Sequence, residues 1–150
     1  MEQDFFFVRC NMQYVKIFFA EVIFIRSRAS YMQVVTEKKV YLVLNRIVVL
    51  QRYLPVSQFC RTHRSYIVAL RRIAAFDNHT IWLESPPEGT GYTTGLPCTK
   101  QLPLGYAYRK ALQKAVSILP NFYGPSEQRL KKAKRELELE ELDLIETQNN

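Results

Sequence analysis

Cysteine is scarce in this chain: Cys10, Cys60 and Cys98 are odd in number and far apart. No C-x-x-C pair exists, which argues against a zinc ribbon or a disulfide framework and leaves free thiols, as in a reducing cytosol. Histidine is scarcer still, with only two. Cys60-x-x-His63 is a spacing that offers two metal ligands or a thiol–base pair, but a metal needs further ligands that no other Cys/His cluster supplies. There is no Gly-rich phosphate loop, no G-x-S-x-G and no H-E-x-x-H. Carboxylates ahead of the C-terminal segment are scattered singly. These absences argue against an enzyme, and neither a metal nor a cofactor is expected. A basic signal-peptide start is also missing, since the chain opens MEQDFFFV. The longest apolar stretch, Ile17 to Ile25, is too short to span a bilayer and contains Glu21. The expectation is a soluble, cytoplasmic protein without membrane contact.

What the chain does hold is apolar side chains and positive charge. At 150 residues and 47% apolar it has ample material for one core. The net charge of +7 is unevenly placed. From Glu127 onward there are five basic and seven acidic residues, and the preceding body holds sixteen basic against seven acidic. A body with that balance suits a polyanion or an acidic surface.

Hydropathy patterning predicts a mainly β fold with short helices. FFFVR, YVKIFF, VIFI, YMQVV and VYLVL are short runs of β-branched and aromatic residues parted by polar breaks. Lys16 and Gln33 fall between apolar neighbours, as in strands with one wet face. Glu37 to Lys39 reads as a hairpin tip. A short helix is predicted over Asn45–Leu54, from the spacing of Ile47, Leu50 and Leu54 and the stop at Pro55. RRIAAFD and TIWLES read as two strands about a turn at Asn78-His79. Ser85 to Lys100, with three prolines and three glycines, reads as a long exposed loop with a mobile tip. A strand QLPL precedes a helix predicted from Tyr106 to about Leu119, with Gly105 as N-cap and Tyr108, Ala111, Leu112, Ala115 and Leu119 on its inner face. Residues 5–119 then form one domain, 120–126 a linker and 127–150 a charged helical tail. Leu130, Leu137 and Leu144 recur every seven residues in that tail, about two heptads. Its basic half precedes its acidic half, the wrong order for the helix dipole. The tail reads either as a solvated appendage or as a helix that packs on a partner or on its own symmetry mate.

The segment FCRTHRSYIVAL, Phe59 to Leu70, poses the functional question. Arg61, His63, Arg64, Ser65 and Tyr66 present guanidinium, imidazole and hydroxyl donors just before an apolar run. Arginine pairs bidentately with phosphate or with a guanine edge. The predicted helix at Tyr106 adds Arg109 and Lys110 beside N-terminal amides that suit phosphate. RSRASY, ending in Tyr31, adds two arginines, two serines and a ring between strands. Each cluster alone reads equally well as solvated surface; three of them on a basic body point to nucleic acid.

The element order, with F-x-R-x-H-R-S-Y-I-V, then a strand pair, then L-P-L-G-Y-x-Y-R-K-A-L, resembles the LytTR family of bacterial DNA-binding response-regulator output domains. EVIFIRSRASYMQVVT resembles that family's upstream segment, and the likeness runs from about Phe5 to Leu119. It implies a compact fold of small antiparallel sheets whose loops enter successive major grooves, as two copies on direct repeats. The implied DNA-facing positions are Tyr31, His63, Arg64 and Tyr106, while Arg61 either contacts DNA or orients its loop. Phe59, Tyr66, Val68 and Tyr108 match core positions. The family commonly has Asn where this chain has Ala69 and Ser-Arg where it has Gly105-Tyr106, so Tyr106 is expected at sugar or phosphate. No receiver domain is expected ahead of Phe5. The resulting expectation is a sequence-specific, double-stranded-DNA-binding transcriptional regulator of the two-component type. Its DNA-binding residues would be Tyr31, Arg61, His63, Arg64, Ser65, Tyr106, Arg109 and Lys110, and its partners a second copy on DNA and a sensor kinase or second regulator. The alternative is a protein-interaction module of the same fold that has lost DNA affinity and recruits a partner through the tail helix. RNA binding is a third reading, weakened by the lack of an evident aromatic strand face.

Overall fold

The chain is described from a computed structural model over residues 3–84, 101–120 and 127–148. The predicted loop at 85–100, the linker residues 121–126 and Cys98 lie outside the described residues. Two compact units are present, Met1–Ser117 and Ile118–Asn150.

The first unit is built around a five-stranded antiparallel sheet. Its strands are β3 (Val22–Arg28), β4 (Tyr31–Thr36), β5 (Val40–Val43), β6 (Phe59–His63) and β7 (Tyr66–Ala69), in the order β5-β4-β3-β7-β6. A hairpin of β1 (Phe5–Cys10) and β2 (Gln13–Phe18) precedes it. A three-stranded sheet of β8 (Ile73–Phe76), β9 (Thr80–Leu83) and β10 (Gln101–Pro103) follows it. The expected mainly β architecture of small antiparallel sheets and short helices is the one observed.

The five-stranded sheet is covered on both faces. One core contains Ile17, Ile25, Met32, Val34 and Ile67, closed by Ile47 and Leu50 of the short helix α1 (Ile47–Gln51). The other contains Phe24, Val68, Ile81, Leu102 and Leu112, and so reaches the three-stranded sheet and helix α2 (Arg109–Ala115). This is why β3 opens with the continuous run Val22-Ile23-Phe24-Ile25, all buried, instead of alternating. Edge strand β5 alternates, with Tyr41 and Val43 buried and Leu42 exposed.

Two turns explain themselves locally. At the tip of β4–β5, the Thr36 hydroxyl donates to the Lys39 carbonyl at 2.7 Å and accepts the Lys39 N–H at 3.1 Å, which satisfies a buried polar atom. At the tip of β1–β2, Asn11 and Met12 both sit at positive φ, 47° and 65°, as a two-residue primed turn requires. Asparagine tolerates that region better than methionine does, and Met12 is 89% exposed. Met12→Gly is expected to stabilise the protein by about 0.5–1 kcal/mol, the relief of strain exceeding glycine's extra chain entropy. A shift of the urea midpoint with unchanged m-value is the readout.

The helix predicted from Tyr106 to Leu119 is shorter than its periodicity suggests. Tyr106–Tyr108 form a single 3-10 turn, and α2 stops at Ala115. Val116 turns extended at φ −113° and ψ 152° and packs against the second core, so tertiary packing overrides the helical spacing. Of the predicted inner face, Leu112 is fully buried and Tyr108 half-buried, but Ala111, Ala115 and Leu119 are exposed. The second unit holds α3 (Glu127–Gln148), a helix of 22 residues with every residue exposed. No described helix is long and apolar enough to cross a membrane.

Candidate nucleic-acid interface

Antiparallel pairing decides which loops share an end of the sheet. Arg28 pairs with Tyr31 across the β3–β4 tip, and Arg26 of β3 pairs with Tyr66 at the start of β7. The β3–β4 tip and the β6–β7 turn therefore lie at one end. Val43, the last residue of β5, pairs with Met32 and brings the start of α1 to that end as well. Two backbone hydrogen bonds of 2.8 Å fasten neighbouring pieces together. Ser27 N–H donates to the Ser65 carbonyl, and Gly105 N–H donates to the Thr62 carbonyl. The second bond sets the turn at Tyr106 directly against the β6–β7 turn, where a Cβ on Gly105 would stand 3.6 Å from the His63 ring. All three sequence clusters are thus one block.

Within that block the side chains divide into braces and free groups. Arg61 is a brace. Its Nε donates to the His63 carbonyl at 3.2 Å, one terminal nitrogen to the Arg64 carbonyl at 2.6 Å and the other to Gln51 Oε1 at 3.1 Å. Its guanidinium also stands 5.9 Å from the Tyr108 ring centroid. His63 is half brace and half donor. Its Nδ1 accepts the Ser65 N–H at 3.1 Å, so in the neutral ring the proton lies on Nε2, which remains an N–H donor. Its ring packs edge-on against Tyr66, 5.7 Å between centroids. Arg64, at the apex, is exposed, and no described residue bonds its guanidinium. Tyr31 is half-buried opposite Arg28, and Ser65 is half-buried at the turn.

The remaining three predicted positions part company. Tyr106 is 83% exposed and Lys110 is exposed with no bonded partner among the described residues. Arg109 instead turns to the β8–β9 turn: it donates to His79 Nδ1 at 3.0 Å and stands 4.9 Å from the Tyr106 ring centroid. That turn is organised by Asp77, whose carboxylate accepts the N–H groups of His79 and Thr80, each at 2.8 Å. Those two bonds, aided by the charge of Arg109, hold the Asp77 carboxyl below its usual range.

Two cations at the same sheet end were not singled out as site residues. Arg46 is exposed at the N-cap of α1, and a shallow concavity is lined jointly by Ala29, Ser30, Asn45, Arg46 and Arg61. Arg28 is exposed beside it at the β3–β4 tip. Arg28 was visible as part of RSRASY; Arg46 carried no local signal, because only the β5-β4-β3 pairing brings it near. Arg26, by contrast, is spent on its cross-strand partner Gln33, with Nε 2.9 Å from Oε1.

The charge at the two ends of the sheet differs. At the opposite end Lys38 pairs with Glu21 at 3.1 Å, Arg72 pairs with Glu37, and Arg71 bonds the Ala20 carbonyl. At the β6–β7 end Arg28, Arg46 and Arg64 have no acidic partner among the described residues. Unpaired guanidinium groups around a rigid turn are suited to phosphate and to base edges.

The Cys60–His63 pair does not form a nucleophilic site. Cys60 is buried in the second core, burial pushes its thiol up, and its Sγ donates weakly to the Arg61 carbonyl at 3.5 Å. His63 Nδ1 is meanwhile occupied by Ser65. Among the described residues, no group of three or more His, Cys, Asp or Glu side chains is arranged to hold a metal.

Comparison with known proteins gives a consistent picture. The structure is similar to the LytTr DNA-binding domain of a protein from Bacillus cereus described as a methyl-accepting/DNA response regulator. The TM-score is 0.58 at 18% identity, covering 78% of this chain and all of that one. A search of curated protein sequences found no match. The sequence itself matches the model of the LytTr DNA-binding domain over residues 12–117, most of the chain and nearly all of the first unit. On that match, the chain belongs to the LytTr family of DNA-binding domains.

Proposed function

We propose that this protein is a sequence-specific transcriptional regulator that grips double-stranded DNA with the β6–β7 end of its sheet. Two copies occupy direct repeats, and a sensor kinase or a second regulator governs them. The observation that carries the reading is the Arg64 guanidinium, exposed and bonded by no described residue, on a turn that Arg61 ties to itself through two hydrogen bonds and to Gln51 through a third. Arg64 inserts into the major groove and reads a base edge, guanine by its bidentate geometry. His63 Nε2–H, Ser65, Tyr31 and Tyr106 contact sugar and phosphate around it, and Lys110 adds a point charge. Arg61 acts as a positioning residue, because each of its three guanidinium nitrogens is already bonded to the turn or to Gln51. Arg109 holds the Tyr106 ring and the β8–β9 turn while contributing its charge to the phosphate field.

Selection from a randomised duplex pool, followed by anisotropy of the winning duplex at several salt concentrations, tests this. An enriched motif in two repeats about one helical turn apart, with affinity falling steeply in salt, is the expected result. Absence of enrichment, with feeble binding to every duplex alike, would leave the fold as a protein-interaction module. Lys110→Ala should weaken all sequences nearly equally and reduce the salt slope by about one, since a phosphate contact carries charge but no sequence information. Measuring the slope on a selected and a scrambled duplex checks it.

A further inference from the structure

Helix α3 segregates its charge along its length. Five cations fall between Arg129 and Arg135, and six acids between Glu136 and Glu146. A stripe of Leu130, Leu137 and Leu144, with Ala133 beside it, runs down the helix, and all of it is exposed. Seven-residue spacing keeps such a stripe on one seam of a paired helix. The acid-last order opposes the helix's own dipole, so isolated helix stability does not account for it.

We propose that α3 pairs with the α3 of a second copy of this chain, antiparallel. In a parallel pair the basic halves would face each other and so would the acidic halves, with repulsion along the whole length. Reversing one helix lays each basic half on an acidic half and sets the two helix dipoles head to tail. The two leucine stripes then close on each other. Lys134 and Glu141 flank the same edge of the stripe, equally far from the midpoint of the charge pattern. In the antiparallel pair Lys134 of one copy meets Glu141 of the other. At 22 residues the helix spans about 33 Å, some three heptads, which makes a modest, salt-sensitive dimer. This pairing does not depend on the DNA reading above and is measured without DNA.

Sedimentation equilibrium of the full chain over a micromolar concentration series tests it, at low and at high salt. The wild type should self-associate, more weakly as salt rises. Reversing the basic block, Lys131→Glu, Lys132→Glu and Lys134→Glu together, should raise the dissociation constant by about tenfold or more. Lysine and glutamate are comparable helix formers, and circular dichroism verifies that the helix persists. Adding Glu138→Lys, Glu140→Lys and Glu141→Lys to the same chain should restore association, because an antiparallel pair is complementary again while a parallel pair is not. A wild type that stays monomeric throughout, which would leave α3 to some other partner, overturns the proposal. So does association that strengthens with salt or ignores the first block, or a double-block variant that fails to recover.

Discussion

Truncating Leu112 to alanine lowers the stability of the body by about 2–5 kcal/mol. Leu112 is the fully buried anchor of α2, set in the core that also holds Phe24, Val68, Ile81 and Leu102. Alanine is a better helix former than leucine, so the loss is entirely one of packing and cavity. DNA affinity should fall as well, although Leu112 lies in the core. α2 follows directly on the turn whose Gly105 N–H is bound to the Thr62 carbonyl, and loosening the helix frees that turn from its place beside His63. Urea unfolding measures the first effect, and anisotropy well below the unfolding transition measures the second. A change under 1 kcal/mol would mean that the core collapses around the smaller side chain.

Arg64→Ala should cost about 1–3 kcal/mol of affinity for the selected duplex and relax preference at one base pair of each repeat. Stability should hardly move, because the guanidinium bonds no described residue while the Arg64 carbonyl, which Arg61 uses, remains. This separation distinguishes a reading residue from a bracing one. Arg64→Lys should recover part of the affinity through charge and little of the specificity, since an ammonium lacks the planar fork. Equal binding by wild type and Arg64→Ala would remove the β6–β7 turn from the base-reading surface.

Much of the fold was legible because strand alternation and turn residues are local properties. Thr36 to Lys39 and the Asn78-His79 turn stand where local chemistry puts them, and the Asn45–Leu54 segment contains the expected short helix. β3 was identifiable as a strand, but its two buried faces depend on layers contributed by distant segments. The end of α2 was misplaced for the same reason: Val116 satisfies a core contact that periodicity cannot register. In the site, the clustering of Arg61, His63 and Arg64 was legible as a polar opening before an apolar run. Which guanidinium braces and which is free was not, because that depends on carbonyls and on Gln51 brought in by folding. The engagement of Arg109 by His79, thirty residues away, was equally invisible.

Amide chemical-shift mapping during titration with the selected duplex locates the DNA face, proposed above as one end of the five-stranded sheet. The largest shifts should fall at Ser27–Tyr31, at Asn45-Arg46, at His63–Tyr66 and at Gly105–Lys110, while Glu21 and Glu37–Lys39 at the opposite end stay still. Shifts concentrated at that opposite end, or on the β1–β2 hairpin with the β6–β7 turn unmoved, would contradict it.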